Sequence, residues 1–380
     1  MKYMGSKRAM LRNGLGDVVT EYTRGARRFV DLFSGAGSVS WFVAEETQLP
    51  VLANDLQSFS AVLADAVIAR TTEADAVQLK RDWLMPARLE AVGTYAWRKA
   101  GEVTSRRFNT RTWVSLSRRL CEDSAPEVAG PIWKAYGGHY FSPRQSLLLD
   151  TMLRNLPTEE PNRTICLAAT ITAASKCAAS PGHTAQPFQP TSSAGPFLRE
   201  SWKQDPINRA AEALEVLCPR HANVTGRSTT GDAVELAASL QEDDVVFVDP
   251  PYSGVHYSRF YHVLETIARG GCGAVNGAGR YPPAEERPRS AFSCKSESET
   301  AGEELLDNLA AAGVKTIVTF PSGECSNGLS GEAICRVAED RFRILLKRVV
   351  EGRFSTLGGN NVCRRARAAA EELILVLSPR

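Results

Sequence analysis

The sequence lacks the features that mark membrane proteins, secreted disulfide-rich proteins and zinc proteins. No apolar run approaches the roughly 20 residues of a membrane helix, and no apolar signal-peptide core precedes the first charged segments. The nine cysteines are scattered without a C-x-x-C pair, and the chain has five histidines. These absences argue against a metal site or a disulfide scaffold and favour reduced thiols. We therefore expect a cytoplasmic protein with no metal and no membrane contact.

An excess of charge of either sign is also lacking. The chain has 45 Lys and Arg against 43 Asp and Glu, for a net charge of +2. Any nucleic-acid surface must therefore be a local basic patch. The length of 380 residues exceeds that of a typical single domain, and a hydrophobic content of 43% is ordinary for a globular protein. We expect two domains, or one domain with a large insertion.

A short apolar run, residues 245–248, leads directly into Asp249-Pro250-Pro251-Tyr252. The run is typical of a strand buried on both faces of a parallel sheet, and in open α/β sheets ligands bind at the carboxyl ends of strands. Asp249 and the Pro250 carbonyl suit the two N–H bonds of an amine on a planar base, which would attack an electrophilic methyl group while Tyr252 stacks on the ring. The alternative is a plain strand followed by a Pro-Pro turn.

A second predicted strand, residues 29–33, runs into a turn containing Gly35 and Gly37 and then into a helical pattern. This order lets backbone approach a ligand at the helix N-terminus. Ser40 stands where a dinucleotide site would have a third glycine, which argues against a nicotinamide dehydrogenase. Asp55 ends the next predicted strand, about 20 residues after the turn, where an acid accepts hydrogen bonds from ribose hydroxyls. Alternatively, Asp55 caps the following helix.

The pattern of strands disappears between residues 59 and 219, where most of the chain is predicted to be helical. Because a compact domain does not accommodate an unstructured loop of this size, we expect residues 59–219 to form a subdomain inserted into a domain made of residues 1–58 and 220–380. Basic side chains interleaved with aromatics suit phosphate contact and stacking: Arg98, Lys99, Arg106, Arg107, Arg111, Arg118 and Arg119. A solvated helix face packed through its aromatics is the alternative.

Taken in order, the segment from Tyr3 to Lys7, the glycine turn, Asp55, the long insertion and the Asp-Pro-Pro-Tyr segment resemble the Dam-like, alpha-group DNA adenine-N6 methyltransferases. Alone, the Tyr3 to Lys7 segment favours a glycine turn before a helix over a ligand site. The resemblance implies S-adenosylmethionine as cofactor and double-stranded DNA as partner. It also implies that residues 1–58 and 220–380 form the catalytic domain and that residues 59–219 form the target-recognition, DNA-binding insertion. It also implies an α/β fold: a Rossmann-like, seven-stranded methyltransferase sheet whose last strand pair is antiparallel, with a large, mainly helical insertion.

The resemblance also implies roles for individual residues. It implies catalytic roles for Asp249, Pro250, Pro251 and Tyr252, and it implies cofactor contacts for Tyr3, Lys7, Asp31, Phe33, Gly35, Gly37, Asp55, Asp232 and Asp249. Among these, Tyr3, Lys7 and the glycine turn are expected at the methionine end of the cofactor, and Asp55 on its ribose. Asp232 matches an acidic position at the adenine, although Ala233 stands where the family commonly has an aromatic residue.

The identities of single residues argue against three other classes of methyltransferase. Glutamine-N5 methyltransferases carry Asn at the position of Asp249, and cytosine-N4 enzymes usually carry Ser. Cytosine-C5 transfer needs a Pro-Cys nucleophile, and none of the nine cysteines follows a proline. An RNA adenine-N6 methyltransferase and a catalytically idle DNA-binding module remain as alternatives. Whether a partner protein from a restriction or defence system exists, or the enzyme acts as an orphan methylase, stays open, as does the target sequence.

Overall fold

The computed structural model describes residues 7–105, 109–355 and 367–380. Its strands are β1 (Arg28–Asp31), β2 (Val51–Asp55), β3 (Arg227–Thr230), β4 (Asp244–Val248), β5 (Lys315–Pro321), β6 (Phe342–Ser355) and β7 (Arg367–Pro379). They form one seven-stranded sheet in the order β3-β2-β1-β4-β5-β7-β6. The strands β1 to β5 pair in parallel, whereas β7 is antiparallel to both β5 and β6. The predicted seven-stranded α/β sheet with an antiparallel last strand pair is confirmed.

Helices make up most of the remaining described chain. In order they are α1 (Arg8–Met10), α2 (Gly16–Tyr22), α3 (Ser38–Glu46), α4 (Ser58–Ile68), α5 (Ala76–Leu79), α6 (Met85–Val92), α7 (Tyr95–Ser105), α8 (Thr110–Asp123), α9 (Pro131–Tyr136), α10 (Pro143–Arg154), α11 (Asn162–Cys177), α12 (Gly195–Lys203), α13 (Pro206–Leu217), α14 (Ala233–Ala237), α15 (Tyr257–Arg269), α16 (Ser298–Ala311) and α17 (Gly331–Arg341). Short π-helical turns cover Leu11–Leu15 and Lys80–Leu84, and 3-10 turns cover Ala284–Glu286 and Ala291–Ser293. None of the helices in the described ranges is long and apolar enough to cross a membrane.

The described residues cluster into two compact units. The sheet unit comprises residues 7–72, His221–Tyr257 and the described part of Pro288–Arg380. The helical unit comprises Glu73–Arg220 and Ser258–Arg287. Helix α4 therefore packs with the sheet, while most of α15 and the segment that follows it pack with α5 to α13. The mainly helical character predicted for the long insertion is confirmed.

Alternation of side chains along the strands separates the two faces of the sheet. Val246 and Val248 of β4 and Val30 of β1 belong to a buried cluster with side chains of α14, α16 and α17. Asp31, the next residue of β1, instead bonds to Ser40 of α3, so it lies on the opposite face. All five residues of β4 are buried, as expected for a parallel strand covered on both faces. The edge strand β3, with its polar sequence, is only partly buried.

The helical unit has an apolar core of its own. Trp113 and Val114 of α8 pack against Leu198 and Trp202 of α12, and the two indole rings meet edge to face with centroids 5.0 Å apart. Burial of large aromatic side chains of this kind dominates the energetics of a small core. The core therefore fixes which face of α8 points inward, and it leaves the polar face of that helix exposed.

Candidate active site

Four strands of the sheet unit end at one edge of the sheet. Because β3, β2, β1 and β4 are adjacent and parallel, their carboxyl ends lie side by side. Asp31 ends β1, Asp55 ends β2, Asp232 follows β3 and Asp249 follows β4. The fold thus assembles, at the edge where open α/β sheets bind ligands, most of the residues that the sequence predicted to be functional.

The glycine turn between β1 and α3 requires glycine at two positions. Gly35 and Gly37 have φ angles of 50° and 72°, in the left-handed region that side chains disfavour. A Cβ atom on Gly37 would also lie 2.9 Å from Nε1 of Trp41. The Gly35 amide donates to Oδ2 of Asp55 at 2.9 Å. The turn is therefore anchored to the end of β2, and it presents backbone at the N-terminus of α3.

Two neighbouring polar residues at the end of β2 hold the strand ends together. Asp55 also accepts a bond from the Gln57 amide at 3.0 Å, so it orders the chain before α4 as well as the glycine turn. The buried Asn54 donates from Nδ2 to the carbonyls of Leu32 and Gly231, at 3.2 and 3.1 Å. Sequence reasoning gave Asn54 no role, because its partners belong to strands that only the fold brings alongside β2.

Asp31 carries a buried oxygen atom that the described chain does not satisfy. Its side chain is 1% exposed, and Oδ2 accepts a bond from the Ser40 hydroxyl at 2.7 Å. Oδ1 has no hydrogen-bond partner among the described residues. Burial raises the pKa of Asp31 to about 7, with the Ser40 bond opposing this shift and Asp249 adding to it. Such an oxygen suits a positively charged or hydrogen-bond-donating ligand group.

Asp249 lies in a buried network of ionic groups. Nζ of Lys7 is 2.9 Å from Oδ1 of Asp249 and 3.0 Å from Oε1 of Glu372. The Thr319 hydroxyl donates to the same Oδ1 at 2.9 Å. The exposed fractions of the Lys7, Asp249 and Glu372 side chains are 5%, 15% and 7%, so solvent screens these interactions only weakly. Glu372 of β7 and Thr319 of β5 were not predicted, because neither belongs to a recognisable motif.

The charges of this network set the protonation of its members. Burial alone would lower the pKa of Lys7, but the carboxylates of Asp249 and Glu372 raise it above its usual value, and Lys7 is a cation. Burial raises the pKa of Asp249 to about 6, opposed by Lys7 and reinforced by Glu372. At neutral pH Lys7 is therefore a cation beside an ionised Asp249, one of whose oxygens is already engaged.

The loop that contains Pro250 and Pro251 is braced by a second loop. The buried Asn327 donates from Nδ2 to the carbonyls of Pro251 and Phe292, both at 2.9 Å. The Gly254 amide donates to the Ser326 hydroxyl at 2.9 Å. A Cβ atom on Gly254 would lie 2.7 Å from the Ser326 carbonyl oxygen, so the two loops are in close contact. Asn327 is a further residue that sequence reasoning missed.

The remaining predicted site residues of the sheet unit lie at the same strand ends. Tyr252 and Phe33 are half-buried against the apolar cluster that lines one face of the sheet, and Pro250 is buried. Burial raises the pKa of Tyr252 to about 12, so its hydroxyl is neutral. The Asp232 carboxylate accepts a bond from the Val234 amide at 2.8 Å and caps α14.

Several predicted residues have local partners in the helical unit, and others lie outside the described ranges. Tyr3, Arg106 and Arg107 fall outside them. Lys99 forms an ion pair with Glu102 at 3.2 Å, and Lys99 and Arg98 both lie over the exposed ring of Tyr95, at 5.3 and 5.7 Å from its centroid.

On α8, Arg111 and Arg119 are exposed, whereas the half-buried Arg118 donates to the Gly138 carbonyl at 3.1 Å. The neighbouring Trp113 is buried in the core. Trp113 therefore agrees with the alternative interpretation, in which the helix packs through its aromatic side chains. The predicted basic stretch thus divides into exposed arginines and residues with partners inside the unit.

Comparison with known proteins identifies the family. The family model for D12 class N6 adenine-specific DNA methyltransferases matches residues 3–93 and 150–289, which is more than half of the chain. The chain belongs to this family. The matched residues include the glycine turn, Asp55 and the Asp249 to Tyr252 loop. The resemblance inferred from the order of the motifs is confirmed.

A modification methylase is also similar to this D12-class chain. Modification methylase LlaI of Lactococcus lactis subsp. lactis is 24% identical over 276 residues, which cover 71% of this chain and 38% of that protein. The chain thus matches well under half of the length of this relative.

Proposed function

We propose that the protein transfers a methyl group from S-adenosylmethionine to N6 of adenine in double-stranded DNA. The observation that carries the proposal is the buried contact of Lys7 and Thr319 with a single oxygen of Asp249, at the sheet edge where the glycine turn also lies. This arrangement orients the carboxylate at the start of the Asp-Pro-Pro-Tyr loop. It is consistent with family membership and specific to the residues of this chain.

Asp249 is proposed to orient the target amine. Lys7 and Thr319 both contact Oδ1, and Oδ2 has no hydrogen-bond partner within the described residues. Oδ2 and the Pro250 carbonyl then provide two acceptors for the two N–H bonds of the amine. Accepting both bonds favours the tetrahedral nitrogen whose lone pair points out of the base plane, which is the form that attacks an alkylating carbon. Because Lys7 is held between two carboxylates, the orienting groups are fixed before substrate binds.

The residues at the strand ends fit the cofactor. S-adenosylmethionine presents an ammonium group and ribose hydroxyls, and when bound it supplies the electrophilic methyl group. Asp31 offers to a donor of this kind a buried oxygen that has no partner among the residues described. The left-handed glycine turn lets backbone approach closely at the N-terminus of α3, and Asp55 is proposed to contact the ribose.

Access to the amine is proposed to require base flipping. The N6 atom of a stacked and paired adenine cannot enter a site at the edge of a sheet, so the base must rotate out of the duplex. Tyr252 is proposed to stack on it. The helical unit, which contains most of the predicted insertion, is proposed to hold the DNA.

The cellular context is proposed from the similarity to a modification methylase. A chain similar to a modification methylase is consistent with a role in a restriction-modification system. The proposed location is the cytoplasm, and no protein partner is assigned.

Substitution of Asp249 tests the proposal. Asp249→Ala should lower transfer of labelled methyl groups to duplex DNA by more than a hundredfold, because it removes an interaction that is strongest in the transition state, on the order of 3 kcal/mol. Asp243→Ala is the matched control, since Asp243 precedes the same strand and its side chain is 50% exposed. Mass spectrometry of the product nucleosides should find N6-methyladenine. Transfer within about threefold of wild type in Asp249→Ala, or methylation of RNA in preference to duplex DNA, would contradict the proposal.

A further inference from the structure

The segment after α15 carries a turn with an unusual backbone. Within the helical unit, the amides of Asn276 and Tyr281 donate to each other's carbonyls at 3.0 and 2.9 Å, closing a hairpin-like turn. Arg280 in this turn has a φ angle of 54°, which non-glycine residues rarely adopt. Its Nε donates to the Ala135 carbonyl at 2.8 Å. The turn therefore holds the Arg280 guanidinium at the end of α9.

A second arginine lies beside Arg280. Arg118 of α8 donates to the Gly138 carbonyl, two residues after the end of α9. Burial lowers the pKa of Arg118, and the charge of Arg280 lowers it further. Burial and the same two arginines lower the pKa of His139 to about 3, which keeps that imidazole neutral. The two guanidinium groups therefore lie near each other and near His139.

Two more arginines flank the ring of Tyr281, the residue after Arg280. The guanidinium carbons of Arg259 and Arg287 lie 5.0 and 5.6 Å from the ring centroid. The Tyr281 hydroxyl donates to the Ala185 carbonyl at 2.6 Å, which fixes the ring. The electron-rich ring offsets part of the repulsion between the two cations. We call Arg118, Arg259, Arg280 and Arg287 the arginine cluster.

Within the described part of the chain, the arginine cluster lacks the carboxylate partners that some other arginines of the same unit have. Carboxylates pair with five of those others: Arg81 with Asp82, Arg88 with Asp205, Arg154 with Glu90, Arg209 with Glu212, and Arg269 with Glu265. Among the described residues, no carboxylate oxygen lies within 4.0 Å of a cluster nitrogen. Glu122 attracts Arg118 only at longer range. Arg118 and Arg280 thus form one pair of cations and Arg259 and Arg287 another at Tyr281, and neither pair has an ion-pair partner among the described residues to offset its charge.

We infer that the arginine cluster binds phosphate groups of the duplex, so that the segment directly after the Asp-Pro-Pro-Tyr loop contributes to DNA binding. The inference rests on the proposed function. Guanidinium groups bind phosphate oxygens through paired, charge-assisted hydrogen bonds. Phosphate contacts position the protein on DNA without selecting a sequence. The cluster would therefore add affinity for all duplexes alike, and only Arg118 of its members belongs to the basic stretch predicted from the sequence.

The salt dependence of binding tests this inference in the full-length protein. The test variant is Arg259→Gln with Arg287→Gln, since neither guanidinium has a hydrogen bond or ion pair among the described residues that its loss would break. The control is Arg154→Gln with Arg209→Gln, which removes the same charge from arginines that have carboxylate partners. Each lost phosphate contact should reduce the logarithmic salt slope by about 0.9. Between 50 and 200 mM salt, wild-type affinity should then fall about twelvefold more than that of the test variant.

Measurements on a cognate and an unrelated duplex, with cofactor affinity measured in parallel, separate the outcomes. We expect the test variant to lose affinity equally for both duplexes, with unchanged cofactor affinity and an unchanged slope in the control. If wild type binds and methylates DNA but the test variant has the same salt slope, the assignment of the arginine cluster is overturned and the proposed function is not. A flattened slope in the control as well would also overturn it, because net charge would then explain the effect. A wild type without salt-dependent DNA binding would instead refute the proposed function.

Discussion

The buried Asp31 makes the stability of the cofactor-free protein depend on pH. Its pKa of about 7 lies above the value of 3.8 for an exposed carboxyl. A raised pKa means that the folded state disfavours the ionised form. The stabilising contribution of the neutral carboxyl is fully present below about pH 4, and it is lost as the pH rises towards 7. The difference of about 3 pKa units corresponds to at most about 4 kcal/mol.

The substitution Asp31→Asn removes this titration while it keeps the shape of the side chain. The free energy of unfolding of the variant, relative to wild type, should therefore be higher at pH 8 than at pH 4.5. The expected change is on the order of 2 to 4 kcal/mol once relaxation is allowed for. Any effect of the amide that does not depend on pH, such as a changed bond to Ser40, cancels when the values at the two pH values are subtracted. Urea unfolding of the cofactor-free protein at four pH values measures it, and Asp243→Asn is the exposed control.

Cofactor binding provides a second measurement of the same group. If Asp31 contacts the ammonium group of S-adenosylmethionine, binding favours the ionised carboxylate and releases a proton when the pH is below about 7. Calorimetry in buffers of different ionisation enthalpy detects this release, and wild-type affinity should weaken as the pH falls from 7 to 5.5. Asp31→Asn should bind the cofactor weakly and without that pH dependence. A stability difference that stays flat from pH 4.5 to 8 would refute the reasoning about burial.

Three further predictions concern the network, the turn and the target base. Because the charge of Glu372 raises the pKa of Asp249, Glu372→Gln should move the acid limb of the kcat profile to lower pH by up to about 1 unit; an unmoved limb would mean that Glu372 does not act on Asp249. Gly37→Ala should lower the free energy of unfolding by at least about 1 kcal/mol more than Gly25→Ala, since both glycines have positive φ but only Gly37 would meet a neighbouring atom at 2.9 Å. Tyr252→Ala should cost about 1 to 3 kcal/mol of base stacking. A 2-aminopurine probe at the target position should brighten when wild type binds, and an absent response in both wild type and the variant during tight binding would count against flipping.

Local features of the sequence determined the strands and the motifs of the active-site edge. Burial on both faces demands continuous apolar residues, so β1 and β4 are visible as short apolar runs. A left-handed turn demands glycine, so Gly35 and Gly37 mark the β1 to α3 connection. Each of these requirements acts on a few consecutive residues, and their joint order was specific enough to indicate the family.

Only the tertiary structure decided which distant side chains complete those motifs. Thr319 reaches Asp249 because β5 lies beside β4, and Glu372 reaches Lys7 from β7, which pairs with β5. Asn327 reaches the proline loop from a separate connection. No local propensity marks these residues, since each one forms its decisive bond across a large separation in sequence. The arginine cluster has the same cause: α8, α15 and the turn at Arg280 are distant in sequence and belong to one unit only in the folded chain. Hydrophobic burial is not specific for the charges that it brings together.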